Sequence, residues 1–522
     1  MSRCSARARR RPKNSTSDMF DLVPQSLSAL AKLDPTGKLA KLLPSEDFPV
    51  LGSTEPDAIG LGRIYDPASG LIEGRMRSGS ARHCLIVGPN ASGKGMRLLV
   101  PNLLQCEGRS IFVIDPKGEL AAITAPFRRK LGKVVILNPF GVLTDIPGYE
   151  DLASGGFNPL ARLDPDSKSF NADASLLADA MIALEGRDPH WDSSARALLA
   201  ALIMWVVIEA RQQGIAPTIA RVRELLCMAS EEPNKENGFR GRGIPALALS
   251  MMEAPYPGLR NKAAQFVDWT NEVRSIASSA KRQTEPFDDV EVAGDLAKDG
   301  FDFREMKREP VTVYCILPPE MMQRHSKWLR IVLTAAMQGV LRVRRPGEPK
   351  VLFMLDEFAA LGHLEIIETV WALVRGYGIQ LMPVVQDLTQ LKSLYAERWE
   401  TFVANSGALA TFSPNDLTTA EWLSRRAGDT TRAVASYNSS TSKSDGTISS
   451  GGYHPGTTSR SESLSYSQVK VPLVDPHKLF GMRDGTIIVA LAGLSDIVPA
   501  YAPGWWEIIQ CRERGRENPY YA

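Results

Sequence analysis

Apolar residues in this chain gather into short unbroken runs, each stopping at polar or glycine-rich positions. Cys84-Leu-Ile-Val87, Ile111-Phe-Val-Ile114, Val134-Val-Ile-Leu137, Val311-Thr-Val-Tyr-Cys-Ile-Leu317, Val351-Leu-Phe-Met-Leu355 and Ile379-Gln-Leu-Met-Pro-Val-Val385 are of this kind. Gly407 to Phe412 and Thr486 to Leu491 continue the series. A run with little polar alternation predicts a strand covered on both faces, as in a parallel sheet between layers of helices. Helical periodicity appears between the runs, at Met96 to Leu104 and Lys327 to Val343. The alternation predicts an α/β fold, a mainly parallel twisted sheet flanked by helices with its ligand edge at the strand C-termini.

That rhythm is interrupted. Over residues 161–304 helical patterns dominate, among them Ala172 to Leu184, Ser193 to Gln212, Ile219 to Leu226 and Lys262 to Lys281, which predicts an inserted all-α domain. The α/β domain is therefore read in two segments, 81–160 and 305–522. Residues 1–18 carry Arg7, Arg9, Arg10, Arg11 and Lys13 and read as a basic disordered tail, with Met19 an alternative start. Residues 19–80 read as an approach segment. Residues 436–469 are rich in Ser, Thr and Gly, too poor in apolar groups to order themselves, and read as a flexible surface loop. The most apolar helical stretch, Ala197 to Ile208, is flanked by Arg196, Glu209 and Arg211. It falls short of the roughly 18 residues a membrane span needs, and reads as a buried core helix. Trp191 and Trp328 lie in helical contexts and read as core anchors.

Composition adds little. The 522 residues are 44% hydrophobic and 23% charged, with a net charge of +2, so charge alone does not announce a nucleic-acid partner. The six cysteines show no paired spacing of a metal or redox type, which fits a reducing cytoplasm. No apolar stretch follows the basic start, so no secretory signal is expected.

Candidate chemistry sits at the ends of the runs. Gly88-Pro-Asn-Ala-Ser-Gly-Lys94-Gly95 follows an apolar run and precedes a helical pattern. In that context Gly88, Pro89, Asn90, Ala91, Ser92 and Gly93 form a loop whose backbone N–H groups cradle phosphate oxygens, and Lys94 reaches the outer phosphates. Gly95 stands where such loops usually carry the Ser or Thr hydroxyl that meets magnesium. Downstream, Asp356-Glu357 ends a buried run. Asp356 would hold Mg2+, directly or through water, and Glu357 would polarise the attacking water. Together the two motifs predict a nucleotide triphosphatase.

With the blocks Pro101-Asn102-Leu103, Asp115-Pro-Lys-Gly-Glu119, Phe157-Asn-Pro-Leu160, Leu355-Asp-Glu-Phe-Ala-Ala-Leu-Gly362, Arg375-Gly-Tyr-Gly378 and Gln386-Asp-Leu-Thr-Gln390 added in order, the chain resembles the TraG-type coupling proteins of conjugation and type IV secretion, from about residue 80 to 500. The resemblance implies a RecA-like motor that binds ATP and Mg2+, hydrolyses ATP, and assembles as a homohexamer. It implies relaxase-bound DNA, read without sequence specificity, as cargo, and a type IV secretion channel as destination. In that family a glycine after the loop lysine is usual, so Gly95 ceases to be an anomaly. By the same likeness Arg375 resembles the arginine that enters a neighbouring subunit's site, and Gln386 the residue that senses the γ-phosphate. Asp115 and Lys117 are left open between a local ion pair and a place facing the nucleotide. The chain departs from the resemblance in showing no N-terminal membrane helices. A separate membrane partner as anchor, anionic-lipid binding by the arm at residues 3–13, or a soluble ring is therefore expected, with the chain cytoplasmic and peripheral at the inner face of the bacterial inner membrane. Two other readings stand beside the DNA motor: the same motor recruiting effector proteins, and a docking platform that binds nucleotide without splitting it.

Overall fold

The computed structural model describes residues 53–521, apart from 66–71, 80, 185–189, 233, 235–237, 239–240, 346, 374–375, 444, 446, 451, 455, 457 and 495–496. The basic tail at 1–18 lies outside the described residues. Strands follow the chain as β1 (Ile59–Tyr65), β2 (Ile72–Ser78), β3 (His83–Val87), β4 (Ser110–Ile114), β5 (Lys133–Leu137), β6 (Val311–Cys315), β7 (Val351–Leu355), β8 (Ile379–Val385) and β9 (Ser406–Thr411). After them come β10 (Asp429–Lys443), β11 (Thr447–Ser449), β12 (Gly452–His454), β13 (Thr458–Pro472), β14 (Thr486–Leu491) and β15 (Ile497–Tyr501).

An 11-stranded sheet takes the order β2-β1-β15-β14-β9-β3-β8-β7-β4-β6-β5. From β9 to β5 the strands run parallel, and β14, β15, β1 and β2 extend the sheet antiparallel. The unbroken apolar runs are explained by burial on both faces. Leu85, Val87, Phe112, Ile114, Phe353 and Leu355 enter one core, while Cys84, Ile86, Ile111, Val113, Leu352 and Met354 enter the other. Alternate residues of one strand thus belong to different cores, as the period of two requires. β1 and β2 lie within the stretch expected as a separate approach segment. They are instead the edge of the main sheet, and their part-exposed, glycine-bearing sequences gave no apolar run to mark them.

Between β5 and β6 the chain is helical, with helices at Phe170–Met181, His190–Gln213, Ile219–Cys227, Ile244–Met252, Pro257–Ala263, Asn271–Thr284 and Val290–Asp295. Among the described residues, His190–Gln213 is the one helix long and apolar enough to cross a membrane, and 67% of its apolar window is buried inside the protein. Its residues Leu198, Leu202 and Met204 share a core with Phe112 and Phe353 of the sheet. Trp328 is fully buried and donates its indole N–H to Asp295 Oδ2 at 3.1 Å. Trp191 is 37% exposed and is not the core anchor its context suggested.

The Ser/Thr/Gly-rich stretch differs from expectation as well. β10 and β13 each run 15 residues and pair antiparallel from Asp429↔Pro472 to Lys443↔Thr458. Backbone pairing, rather than burial, makes this ribbon. Hydroxyl pairs support it across the strands: Ser436–Ser465 at 2.8 Å, Ser440–Ser461 at 3.1 Å and Ser442–Ser459 at 2.7 Å.

Candidate functional site

β3 feeds directly into the phosphate loop. The Gly88 N–H donates to the Val385 carbonyl at 3.0 Å, which ties the start of the loop to β8. Gly88 has no room for a side chain: a Cβ there would lie 2.8 Å from Ser92 Oγ and 3.0 Å from Phe412 Cβ. The loop curls through positive φ at Ala91 (61°) and Gly93 (86°), and Arg97 N–H then closes on the Gly93 carbonyl at 2.8 Å. Two left-handed residues in a short turn aim successive N–H groups into one concavity, the geometry that receives an anion. A Cβ at Gly95 would meet only Leu120 Cδ2, at 4.0 Å, so the missing hydroxyl reflects no lack of space.

Lys94 is buried, and its Nζ donates to the Gly88 carbonyl at 2.8 Å. Burial lowers its pKa, while the charges of Asp356 and Glu357 raise it. The ammonium is thus folded back on its own loop and faces the two carboxylates. Parallel register brings those carboxylates there: β7 lies beside β8, with Leu355 opposite Pro383, and beside β4, with Ile114 opposite Leu355.

Asp356 has part of its surface open to the cleft and its carboxyl pushed up to about 6. Burial is the main cause and the Glu357 charge the second; Lys94, the Glu357 N–H and Lys117 act the other way. Glu357 holds a left-handed backbone at φ 53°, a conformation that costs a non-glycine residue about 1 kcal/mol. Its Oε2 accepts a hydrogen bond from Gln386 Nε2 at 3.3 Å, and Gln386 N–H in turn donates to Gln390 Oε1 at 2.9 Å. Lys94, Asp356, Glu357 and Gln386 therefore converge. Arg375 lies outside the described residues. Two residues later in the sequence, Tyr377 packs under the Arg344 guanidinium at 3.9 Å.

Asp115 follows β4 as Asp356 follows β7, so the two acids are neighbours across the sheet. Asp115 is 2% exposed and accepts from the Ala121 N–H at 2.8 Å, capping the helix Glu119–Leu131. Burial, reinforced by the Asp356 and Glu119 charges and opposed by backbone N–H groups, pushes its carboxyl up to about 7. The Asp115 carboxyl is thus engaged with the N-terminus of that helix. Phe412, which walls Gly88, carried no signal in the sequence beyond its place at the end of a run.

As to magnesium, the donors suit it. Asp356 offers a carboxylate beside the phosphate loop, and Gly95 offers nothing, so phosphate oxygens and water would complete the shell.

A sequence model of the family described as type IV secretory system conjugative DNA transfer matches residues 53–499. Conjugal transfer protein TraG of Escherichia coli is 28% identical over 439 residues, which cover 78% of this chain and 62% of TraG. Protein VirD4 of Agrobacterium fabrum (strain C58 / ATCC 33970) is 26% identical over 370 residues, 68% of this chain and 51% of VirD4. The chain thus spans about 62% of the first relative's length and 51% of the second's. Among solved structures, the plasmid coupling protein TrwB in complex with ADP and Mg2+ superposes with a TM-score of 0.56 at 16% identity. It covers 87% of this chain and 96% of TrwB, as does TrwB with a non-hydrolysable ATP analogue. The fold is that of these RecA-like P-loop proteins. With the family matched along most of its length, this chain is a member of the type IV secretory system conjugative DNA transfer family.

Proposed function

We propose that the chain is an ATP-driven coupling protein that recruits a relaxase-bound DNA strand and passes it to a type IV secretion channel. The observation that carries this reading is the convergence of Lys94, Asp356, Glu357 and Gln386 at the ends of β3, β7 and β8 in a member of a conjugative transfer family. TrwB, which shares the fold, was solved with ADP and Mg2+. On this reading Lys94 exchanges the Gly88 carbonyl for phosphate oxygens, and Asp356 holds Mg2+. Glu357, oriented by Gln386, polarises the attacking water, and Gln386 registers the γ-phosphate. Arg375 enters the site of the next subunit in a homohexamer and stabilises charge there. DNA is gripped through its backbone, without base readout. The helical block at 161–304 selects the substrate, and the ring works at the inner face of the bacterial inner membrane with a separate membrane anchor.

The test is ATP turnover by the purified chain with and without single-stranded DNA. Turnover should rise with DNA and fall by about 10²–10⁴ in Glu357→Gln, the range for loss of a general base. Lys94→Ala should lose both binding and turnover. Nucleotide bound without hydrolysis under every condition would sink the motor in favour of a docking platform.

A further inference from the structure

After β15 the chain does not leave the molecule. It turns back through the helix Ile509–Arg514 and crosses the layer that carries the nucleotide cleft. Arg514 donates to the Leu104 carbonyl at 2.7 Å and packs over Phe127 at 4.4 Å. Arg516 N–H then donates to the Ile123 carbonyl at 2.9 Å, and Arg516 Nε to the Ala122 carbonyl at 2.8 Å. Its guanidinium lies 4.1 Å from the Tyr149 ring, whose hydroxyl donates to the Glu517 carbonyl at 2.8 Å. Asn518 Nδ2 reaches Glu119 Oε1 at 3.1 Å, and the Tyr520 hydroxyl donates to the Lys117 carbonyl at 2.9 Å. Residues 514–520 are therefore a strap over the two helices that begin behind the phosphate loop and behind Asp115.

The last two bonds end on the Asp115–Glu119 loop itself. That loop carries Asp115 beside Asp356, and its neighbour Leu120 is the atom contact nearest to Gly95 of the phosphate loop. Lys117, exposed at the loop's crest, makes no ion pair among the described residues. An open cavity of about 620 Å³ borders the loop, bounded by Pro116, Lys117, Phe140, Met321 and Tyr520. The loop thus has open space beside it, and Tyr520 and Asn518 add two side-chain ties to it from the C-terminal strap.

We propose that Tyr520 and Asn518 are positioning residues for the nucleotide site, holding the Asp115–Glu119 loop so that the Lys117 side chain is directed toward Asp356 and the bound phosphates. This rests on the nucleotide site proposed above. Neither residue touches nucleotide; both act through Lys117. Removing the Tyr520 hydroxyl leaves its ring in place and frees the Lys117 carbonyl, so the loop gains a second position against the cavity.

The experiment uses the full chain and the variants Tyr520→Phe, Asn518→Ala and Lys117→Ala, alone and combined. Two readouts are taken: hydrogen exchange at the amides of residues 117–121 without nucleotide, and the split of ATP turnover into kcat and KM. Tyr520→Phe should speed exchange in the loop at an unchanged melting temperature, and lower kcat about fivefold with KM little altered, the effect of one neutral hydrogen bond. In a Lys117→Ala background the same substitution should lower kcat no further. Unchanged exchange in Tyr520→Phe and Asn518→Ala overturns the strap whatever the chain hydrolyses, as do losses that multiply independently of Lys117. A wild-type chain that binds ATP without splitting it defeats the motor alone; the same variants then decide the strap by ATP affinity, with the same non-additivity required.

Discussion

Glu357 is one of the described non-glycine residues held at positive φ, and the one that carries a carboxylate of the site. Its φ of 53° belongs to glycine and asparagine, yet the position holds a carboxylate whose Oε2 is gripped by Gln386. The charge also raises the protonation point of Asp356 next door. Glu357→Gly should therefore stabilise the unliganded chain by about 1 kcal/mol, by removing the backbone penalty. The Asp356 pKa should fall with it, while turnover is lost. Urea denaturation and an ATPase assay check this together, and a variant less stable than the parent would refute the account of strain. Much of the site was legible at this scale. Gly88, Gly93, Lys94, Asp356 and Glu357 announce themselves because each is dictated by its immediate neighbours in sequence. The Phe412 wall and the Tyr520 contact were not legible, because each depends on a partner far away in the chain; the capping role of Asp115 is local, but the Asp115–Glu119 block left it open between two other readings.

At the level of elements, β3 has a second anchor besides its hydrogen-bonded neighbours. His83 at its first position is 5% exposed, accepts from the Leu381 N–H through Nδ1 at 3.0 Å, and stacks on Trp371 at 4.1 Å. With Nδ1 an acceptor, the ring is neutral and Nε2 donates to the Trp371 carbonyl at 3.3 Å. Burial drives its pKa from 6.5 to about 4, opposed only by that carbonyl. Between those values the unfolded chain binds more protons than the folded one. Stability should therefore rise with pH through this window and fall by up to ~3 kcal/mol as pH is lowered across it. His83→Gln should flatten the slope in urea midpoints measured between pH 4 and 7; a parallel slope would assign the acid sensitivity elsewhere. The apolar runs disclosed the parallel strands because burial on both faces leaves a signature in sequence. The β10–β13 ribbon left none: a ladder of serines joined by backbone bonds has the composition of a loop.

For the whole molecule, the proposed assembly makes a prediction that one chain cannot satisfy alone. If Arg375 serves the neighbouring subunit, then Lys94→Ala and Arg375→Ala are defective in different places. Each should lose turnover by itself, while mixed rings should recover part of it. A subunit with intact Lys94 then receives the arginine of its Lys94→Ala neighbour. Mixing the two purified variants and measuring ATP turnover checks this, and no recovery in rings shown to be mixed would remove the trans role. Structure also constrains where motion can occur. The helical block between β5 and β6 packs its buried residues into one continuous core with the face of the sheet that ends in the cleft. Close-packed interiors transmit displacement and resist shear. A power stroke that swung this block relative to the cleft would have to tear that core open on every cycle. If the chain is the motor proposed above, its lever and its engine are one casting, and the work of each nucleotide should appear as slippage between neighbouring copies rather than as bending within one.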